Sequence, residues 1–393
     1  MRNPYKQMGI RRVINAASCL TRLGGSIPDP RVYKAMQQAS KSFVQIPELQ
    51  QWAGRAIAKA TGAEAGLPTA GANNAITLAA AACIMKGTEL EKHDPLKLET
   101  WTPLIKKLPM HTQGLKTRFI VQRNNRNVYD HAVECAGGTF VEADPTEQAL
   151  HKAYDPATTA AYYYTVRSAA NALPLETLVK VAHSHNTPVI VDAAAELPPR
   201  ANLTRYTKAG ADLTIISGGK YIAGPNNSGI LAGRADLIKL AHLQAYPFHG
   251  VGRASKMSRE TIVGFVTALN IYLEEDEQEK YAEWLTKAEW IRDQFKGVPG
   301  VEASIGHHST IEDDHPMVPV CTLKLDPATT HITSAELTAR LRDGDPSIEV
   351  LNEPAFILKQ PKGKMVINPE FLQPGEAETV VKEIKSIFRK AGK

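Results

Sequence analysis

Lys220 stands at the end of a short apolar run, and its surroundings are the clearest chemical signal in the chain. Leu213 to Ile216 read as a buried strand. The run ends in Ser217-Gly218-Gly219-Lys220, and Gly224-Pro225 closes the loop that follows. Glycines at such a place let the backbone take positive φ or approach another group closely. A lysine at the mouth of a buried strand loses hydration, which lowers its pKa and frees the amine for Schiff-base chemistry. Taken alone, Ser-Gly-Gly-Lys describes an ordinary surface loop at least as well.

A second residue changes that balance. Pro188-Val189-Ile190-Val191-Asp192 is another apolar run, and it ends in a carboxylate. A buried aspartate at a strand end needs a cationic partner to stay ionised. The protonated ring nitrogen of pyridoxal 5'-phosphate (PLP) is such a partner, and that charge is what makes PLP an electron sink. Asp192 and Lys220 lie 28 residues apart, room for one helix or loop between neighbouring strands.

The block Val191-Asp192-Ala193-Ala194-Ala195-Glu196-Leu197-Pro198-Pro199, with Gly210-Ala211-Asp212-Leu213 and Ser217 to Lys220, resembles the selenocysteine synthase-like family. This branch of the fold-type I PLP enzymes includes L-seryl-tRNA selenium transferase and D-glucosaminate-6-phosphate ammonia-lyase. The resemblance runs from about Val13 to the C-terminal helix. It implies an α/β fold of the aspartate aminotransferase type: a large domain with a mainly parallel sheet, and a smaller C-terminal α+β domain. It also implies that Lys220 forms the Schiff base, that Asp192 holds the pyridinium, and that the protein is a homodimer or a higher homo-oligomer.

Composition is that of an ordinary soluble globular protein. The 393 residues are 43% hydrophobic and 22% charged, and 46 basic against 41 acidic residues leave a net charge of +5. No run of like charge is long enough for a nucleic-acid tract. The longest apolar run, Ala75 to Met85, is too short to span a bilayer. Cys19, Cys83, Cys135 and Cys321 are scattered without Cys-x-x-Cys spacing, so a reducing, cytoplasmic setting is expected.

The rest of the expected site follows in chain order. Residues 1–12 form a basic N-terminal arm. Val13 to Ala16 is a strand leading into a polar loop where, by resemblance, Asn15, Thr21 and Arg22 bind substrate; Ser18 stands where the family pattern has glycine. Leu49, Trp52, Ala53, Ala56 and Ile57 recur at helical spacing and read as core. Gly71-Ala72-Asn73 opens an apolar helix, and the exposed N–H groups there suit the cofactor phosphate, with Ser217 completing the cradle. Arg126 is a candidate anion contact, and Asn125 occupies a place where relatives often carry histidine. Tyr246 to Lys256 resembles a family loop near the cofactor at the dimer interface, which implies that Arg253 and Lys256 neutralise phosphate, that of the neighbouring subunit being an alternative. His183 and His185 sit at a helix end and read as solvated. His307, His308, Asp313, Asp314 and His315 form the one metal-like group, but in a polar loop without ligand spacing, so no metal is expected.

Strand and helix alternate from Ala160 to Gly233, which argues for a parallel sheet covered by helices. The expected division is an arm over 1–12, a large PLP-binding domain over 13–255, and linking helices with the small domain over 256–393. Only twelve residues precede Val13, so an aminoacyl-tRNA substrate is not expected. The expected activity is an α,β-eliminating ammonia-lyase acting on a small amino acid or amino sugar acid. The alternatives are a racemase or a selenium/sulfur transferase-like enzyme and, from another class, a cofactor-free binding protein.

Overall fold

The computed structural model describes residues 4–97, 103–169, 171–308, 318–352 and 364–392. Its strands in chain order are β1 (Val13–Ala16), β2 (Ala65–Thr69), β3 (Arg118–Gln122), β4 (Thr139–Ala143), β5 (Thr159–Thr165), β6 (Val189–Asp192), β7 (Leu213–Ser217), β8 (Gly229–Gly233), β9 (Val301–His308), β10 (Val318–Leu325), β11 (Ser347–Asn352) and β12 (Lys364–Ile367). The chain forms two compact units. One is Pro28–Glu274; the other joins Met1–Ile27 to Glu275–Lys393.

The Pro28–Glu274 unit is built on a seven-stranded sheet in the order β2-β8-β7-β6-β5-β3-β4. Neighbours from β7 through β6, β5 and β3 to β4 are parallel, and β8 runs antiparallel to both β7 and β2. β2 therefore runs with the parallel strands. The central strands are buried on both faces, which explains why they read as continuous apolar runs. The helix Ala72–Met85 is buried on nearly every side. It packs with Tyr163, Ile190, Ile215 and Leu231 in one apolar core, so these residues mark the sheet face it covers.

The helix Arg259–Glu274 also belongs to this unit, because Ile262, Phe265 and Leu269 are buried and the helix packs on Pro30–Ala39 and Ile46–Thr61. The compact units thus divide the chain differently from a boundary at 255/256. Within Ile46–Thr61, Ala53 and Ile57 are fully buried, whereas Trp52 lies at the surface.

The second unit holds a five-stranded sheet in the order β1-β11-β12-β10-β9. β1 pairs in parallel with β11, Val13 against Ser347 through Ala16 against Val350, and the other pairs are antiparallel. That pairing is why Val13–Ile27 groups with the C-terminal residues rather than with the larger unit. Ile14, Cys321, Leu323, Ile348, Ile367 and Ile384 form its core.

Candidate active site

The site is set by where the parallel strands end. Asp192 closes β6 and Ser217 closes β7, and the ladder between them continues past the end of β6, through Ala193 N–H to the Ile215 carbonyl at 3.0 Å and Ser217 N–H to the Ala194 carbonyl at 3.3 Å. Side chains alternate along a strand, so Asp192 points to the same face as Ile190, and Ser217 to the same face as Ile215. That is the face covered by Ala72–Met85. The register also sets Ser217 and Thr69 on either side of Gly229. Thr69 leads directly into the turn that starts the helix. The helix N-terminus, Asp192, Ser217 and the Lys220 turn therefore meet at the carboxyl edge of the sheet, where open α/β sheets bind ligands.

Sterics within the chain explain the two glycines before Lys220. A Cβ on Gly218 would lie 2.5 Å from Ser228 Oγ and 2.9 Å from the Phe265 ring, and one on Gly219 would lie 2.7 Å from the Asn226 carbonyl oxygen. Neither glycine is left-handed; close approach to the returning loop is what excludes a side chain. The left-handed residue here is Ala223, at φ 52°, whose N–H donates to the Lys220 carbonyl at 2.9 Å. Gly218 N–H bonds Ser228 O, and Gly224 N–H bonds Gly218 O, both at 2.9 Å, which ties the loop to the start of β8.

Asp192 is buried, with 5% of its surface exposed. Burial pushes its carboxyl from 3.8 up to about 6, against the Ala194 N–H at 3.1 Å and the charge of Lys220, which both pull it down. Tyr163, on the same face of the neighbouring strand, is fully buried, and its phenol is raised well above 10 by burial and by the charges of Asp192 and Asp130.

The turn at the head of Ala72–Met85 has the form of an anion site. Gly71 is the N-cap at φ 88°, and no side chain caps the helix. Asn74 Oδ1 accepts from Ala70 N–H at 3.3 Å and Thr69 Oγ1 donates to Gly71 O at 3.1 Å, which shapes the turn and leaves the Ala72 and Asn73 N–H groups pointing outward from the first turn. A Cβ on Gly229 would lie 2.7 Å from the Gly71 carbonyl carbon, so β8 lets the turn settle against the sheet. Arg253 and Lys256 lie over the Tyr246 ring at 5.1 and 5.6 Å. Their loop packs on the same helix, since a Cβ on Gly252 would strike Leu78 at 2.7 Å. Arg253 Nε is buried without a hydrogen-bond partner among the described residues.

Other expected residues are occupied differently. Arg126 Nε bonds Asp130, its Nη1 bonds Glu142 at 2.9 Å, and the guanidinium lies 4.4 Å from the Phe140 ring centre, which makes it a structural tie. Asn125 is fully buried and clamps Thr165, donating to its carbonyl and accepting from its N–H, both at 2.8 Å. Arg22, in the second unit, forms a two-pronged pair with Glu349 at 2.7 and 3.0 Å, and Arg342 reaches the same carboxylate at 3.1 Å. Asn15 closes its own turn through Ala17 N–H and the Ser18 carbonyl, and Thr21 begins a short 3-10 turn. Ser18 is buried and is not left-handed, so its backbone does not need glycine. His183 is bound to Asp212 at 2.8 Å. His307 bonds Tyr281, and Asp313, Asp314 and His315 lie outside the described residues.

Two residues near Asp192 carry no role in the sequence reading. Glu196, four positions after Asp192, is 2% exposed and adds its charge to the Asp192 environment. Arg167 follows directly on the end of β5. Both sit within or beside runs already singled out, and a charged residue just past a buried strand end was the available signal.

Comparison with known proteins agrees with this geometry. The aminotransferase class-V family matches residues 141–310, the span that carries Asp192 and Lys220. A protein of Streptomyces sp, 5'-C-glycyluridine monooxygenase-decarboxylase, is 29% identical over 396 residues, covering 98% of this chain and 92% of the relative. The D-glucosaminate-6-phosphate ammonia lyase of Salmonella typhimurium is 27% identical over 401 residues, covering 99% of both. A solved structure of D-glucosaminate-6-phosphate ammonia-lyase superposes with a TM-score of 0.82 at 26% identity, over the full length of both chains. The chain has the fold of the type I PLP-dependent enzymes. It is similar along its whole length to the ammonia-lyase in both sequence and structure.

The residues present suit that cofactor. Asp192 is a buried carboxyl whose ionised form needs a cation, and a protonated ring nitrogen supplies one. The uncapped helix start and the buried, unpartnered Arg253 Nε suit a phosphate. Lys220, in the turn after β7, carries a primary amine of the kind that an aldehyde would take. Among the described residues no helix is long and apolar enough to cross a membrane.

Proposed function

We propose that this enzyme is an α,β-eliminating ammonia-lyase acting on a small hydroxylated amino acid or amino sugar acid. The observation that carries this reading is the full-length similarity to D-glucosaminate-6-phosphate ammonia-lyase, in sequence and at a TM-score of 0.82. Bound PLP supplies an electron sink for the charge that develops at the substrate Cα. Asp192, held at the sheet edge, would keep the positive charge of that sink in place, because burial disfavours its ionised form and a nearby cation restores it. Lys220 would hold the cofactor through its side-chain amine, and that amine, when free, would serve as the base that takes the α-proton. Gly71, Ala72, Asn73 and Ser217 hold the phosphate, with Arg253 and Lys256 adding positive charge. Asn15 and Thr21 belong to the proposed substrate loop, and the active form is a homodimer in the cytoplasm.

The test is incubation of candidate amino sugar acids and β-hydroxy amino acids in deuterated water. Lyase chemistry releases ammonia and a 2-keto acid, because the eliminated product is an enamine that hydrolyses. Deuterium at Cα with inverted configuration and no ammonia would point to a racemase and defeat the lyase reading. A second reading comes from the similarity to 5'-C-glycyluridine monooxygenase-decarboxylase. It predicts oxygen uptake, which an oxygen electrode reads in the same incubations, together with release of carbon dioxide.

A further inference from the structure

Arg167 lies in the short turn Val166–Ser168, two residues beyond Thr165, whose register partner across the sheet is Asp192. It therefore stands at the carboxyl edge of the strand next to the one that carries Asp192. Its side chain is only 19% exposed, and the nearest carboxylate, Glu196, is 2% exposed with its Oε1 4.0 Å from Nε. That separation is too long for a hydrogen bond. The guanidinium makes no hydrogen bond to any described residue, and its donors keep access to solvent, so they can turn to a ligand that enters the site. Glu196 and Asp192 also sense each other's charge. The arginine, the glutamate and the pyridinium-holding aspartate thus share one neighbourhood.

We propose that Arg167 receives the carboxylate of the incoming amino acid and that Glu196 is its positioning residue. The proposal rests on the PLP reading of Lys220 and Asp192. An amino acid that reacts at Cα carries its carboxylate one bond from the reacting carbon. On entering, that carboxylate meets the charges of Asp192 and Glu196, and only a nearby cation makes the approach favourable. A guanidinium offers a planar fork that matches a carboxylate in two parallel hydrogen bonds, which an ammonium cannot do. Glu196, at 4.0 Å, holds the fork by charge while leaving its donors free. Arg22 and Arg126 already give their donors to Glu349, Asp130 and Glu142. Arg253 belongs to the loop against the phosphate helix.

Two measurements on the purified holoenzyme test this. In the first, phenylglyoxal modifies accessible arginines, and peptide mass mapping follows Arg167 with acetate or inorganic phosphate as probe. Acetate should slow labelling of Arg167 more than phosphate does; equal or stronger protection by phosphate, or none by either, overturns the proposal. This measurement needs no variant, and repeating it on cofactor-free protein separates the proposal from the PLP reading, which fails independently if no PLP binds. In the second, binding of D-glucosaminate is followed by the absorbance of the bound cofactor. Arg167→Gln should weaken it about 10- to 100-fold with cofactor affinity unchanged, and Arg167→Lys should restore only part. Glu196→Gln should raise KM several-fold, leave kcat close to wild type and speed phenylglyoxal labelling of Arg167. Unaltered D-glucosaminate affinity in Arg167→Gln, or loss of cofactor instead, refutes the assignment.

Discussion

The buried carboxyl of Asp192 makes a prediction that can be read without any substrate. In the cofactor-free protein its pKa is raised from 3.8 to about 6, so the folded state holds a proton that the unfolded chain releases. The stabilisation is fully present below about pH 4 and is lost as pH rises towards about 6. The size of the loss follows from the shift and amounts to ~3 kcal/mol. Asp192→Asn keeps an oxygen acceptor for Ala194 N–H and cannot ionise. Urea unfolding of both proteins from about pH 4 to pH 7 should therefore show the variant gaining on wild type across that window, then a constant gap above it. His242 titrates in the opposite sense. Burial depresses it from 6.5 to about 4, so its contribution falls as pH drops, but both proteins share it and it cancels in the difference. Adding PLP should close the gap, because the ring cation restores the ionised carboxylate. A difference that stays flat with pH would show that Asp192 is not the strained carboxyl described here, and a gap unchanged by PLP would remove its pairing with the ring nitrogen. The loaded Asp192→Asn enzyme should keep cofactor and lose most turnover.

The remaining predictions are briefer. Borohydride should fix the cofactor on Lys220, and Lys220→Ala should fold normally while losing about 10²- to 10⁴-fold in kcat; label on another lysine, found by peptide mapping, sinks the assignment. Gly218→Ala should cost about 1–3 kcal/mol in thermal unfolding, because its Cβ meets Ser228 Oγ at 2.5 Å and the Phe265 ring; an unchanged Tm would show that the loop yields freely. Arg22→Ala should lower stability by about 1–3 kcal/mol, since it strips two hydrogen bonds from the buried Glu349. Burial raises the Glu349 pKa, but the hydrogen bond and charge of Arg22, with Arg342, carry it below 4.5 overall, so this stabilisation is lost as pH falls through the acid range. A large KM effect at unchanged stability would instead return Arg22 to the substrate loop.

The sequence by itself determined the parts of this protein that local pattern encodes. Apolar runs of four to seven residues predict β5, β6 and β7 to within a residue or so, because a central parallel strand is buried on both faces and must be apolar throughout. Asp192 and Lys220 stood out because a charge at the end of such a run is locally conspicuous. β2, β4, β9 and β12 were not foreseen: Ala65–Thr69 holds a glycine and a proline, and Thr139–Ala143 is only partly buried. The tertiary structure alone decided what each surrounding charge does. Arg126 looked available until folding brought Asp130, Glu142 and Phe140 around it, and Arg22 until β1 paired with β11 and set it against Glu349. Arg167 was passed over because its surroundings come from residues 25 to 29 positions away. A side chain's type is written locally, but its partners come from distant segments, and a charge binds a ligand only where those segments leave its donors unused.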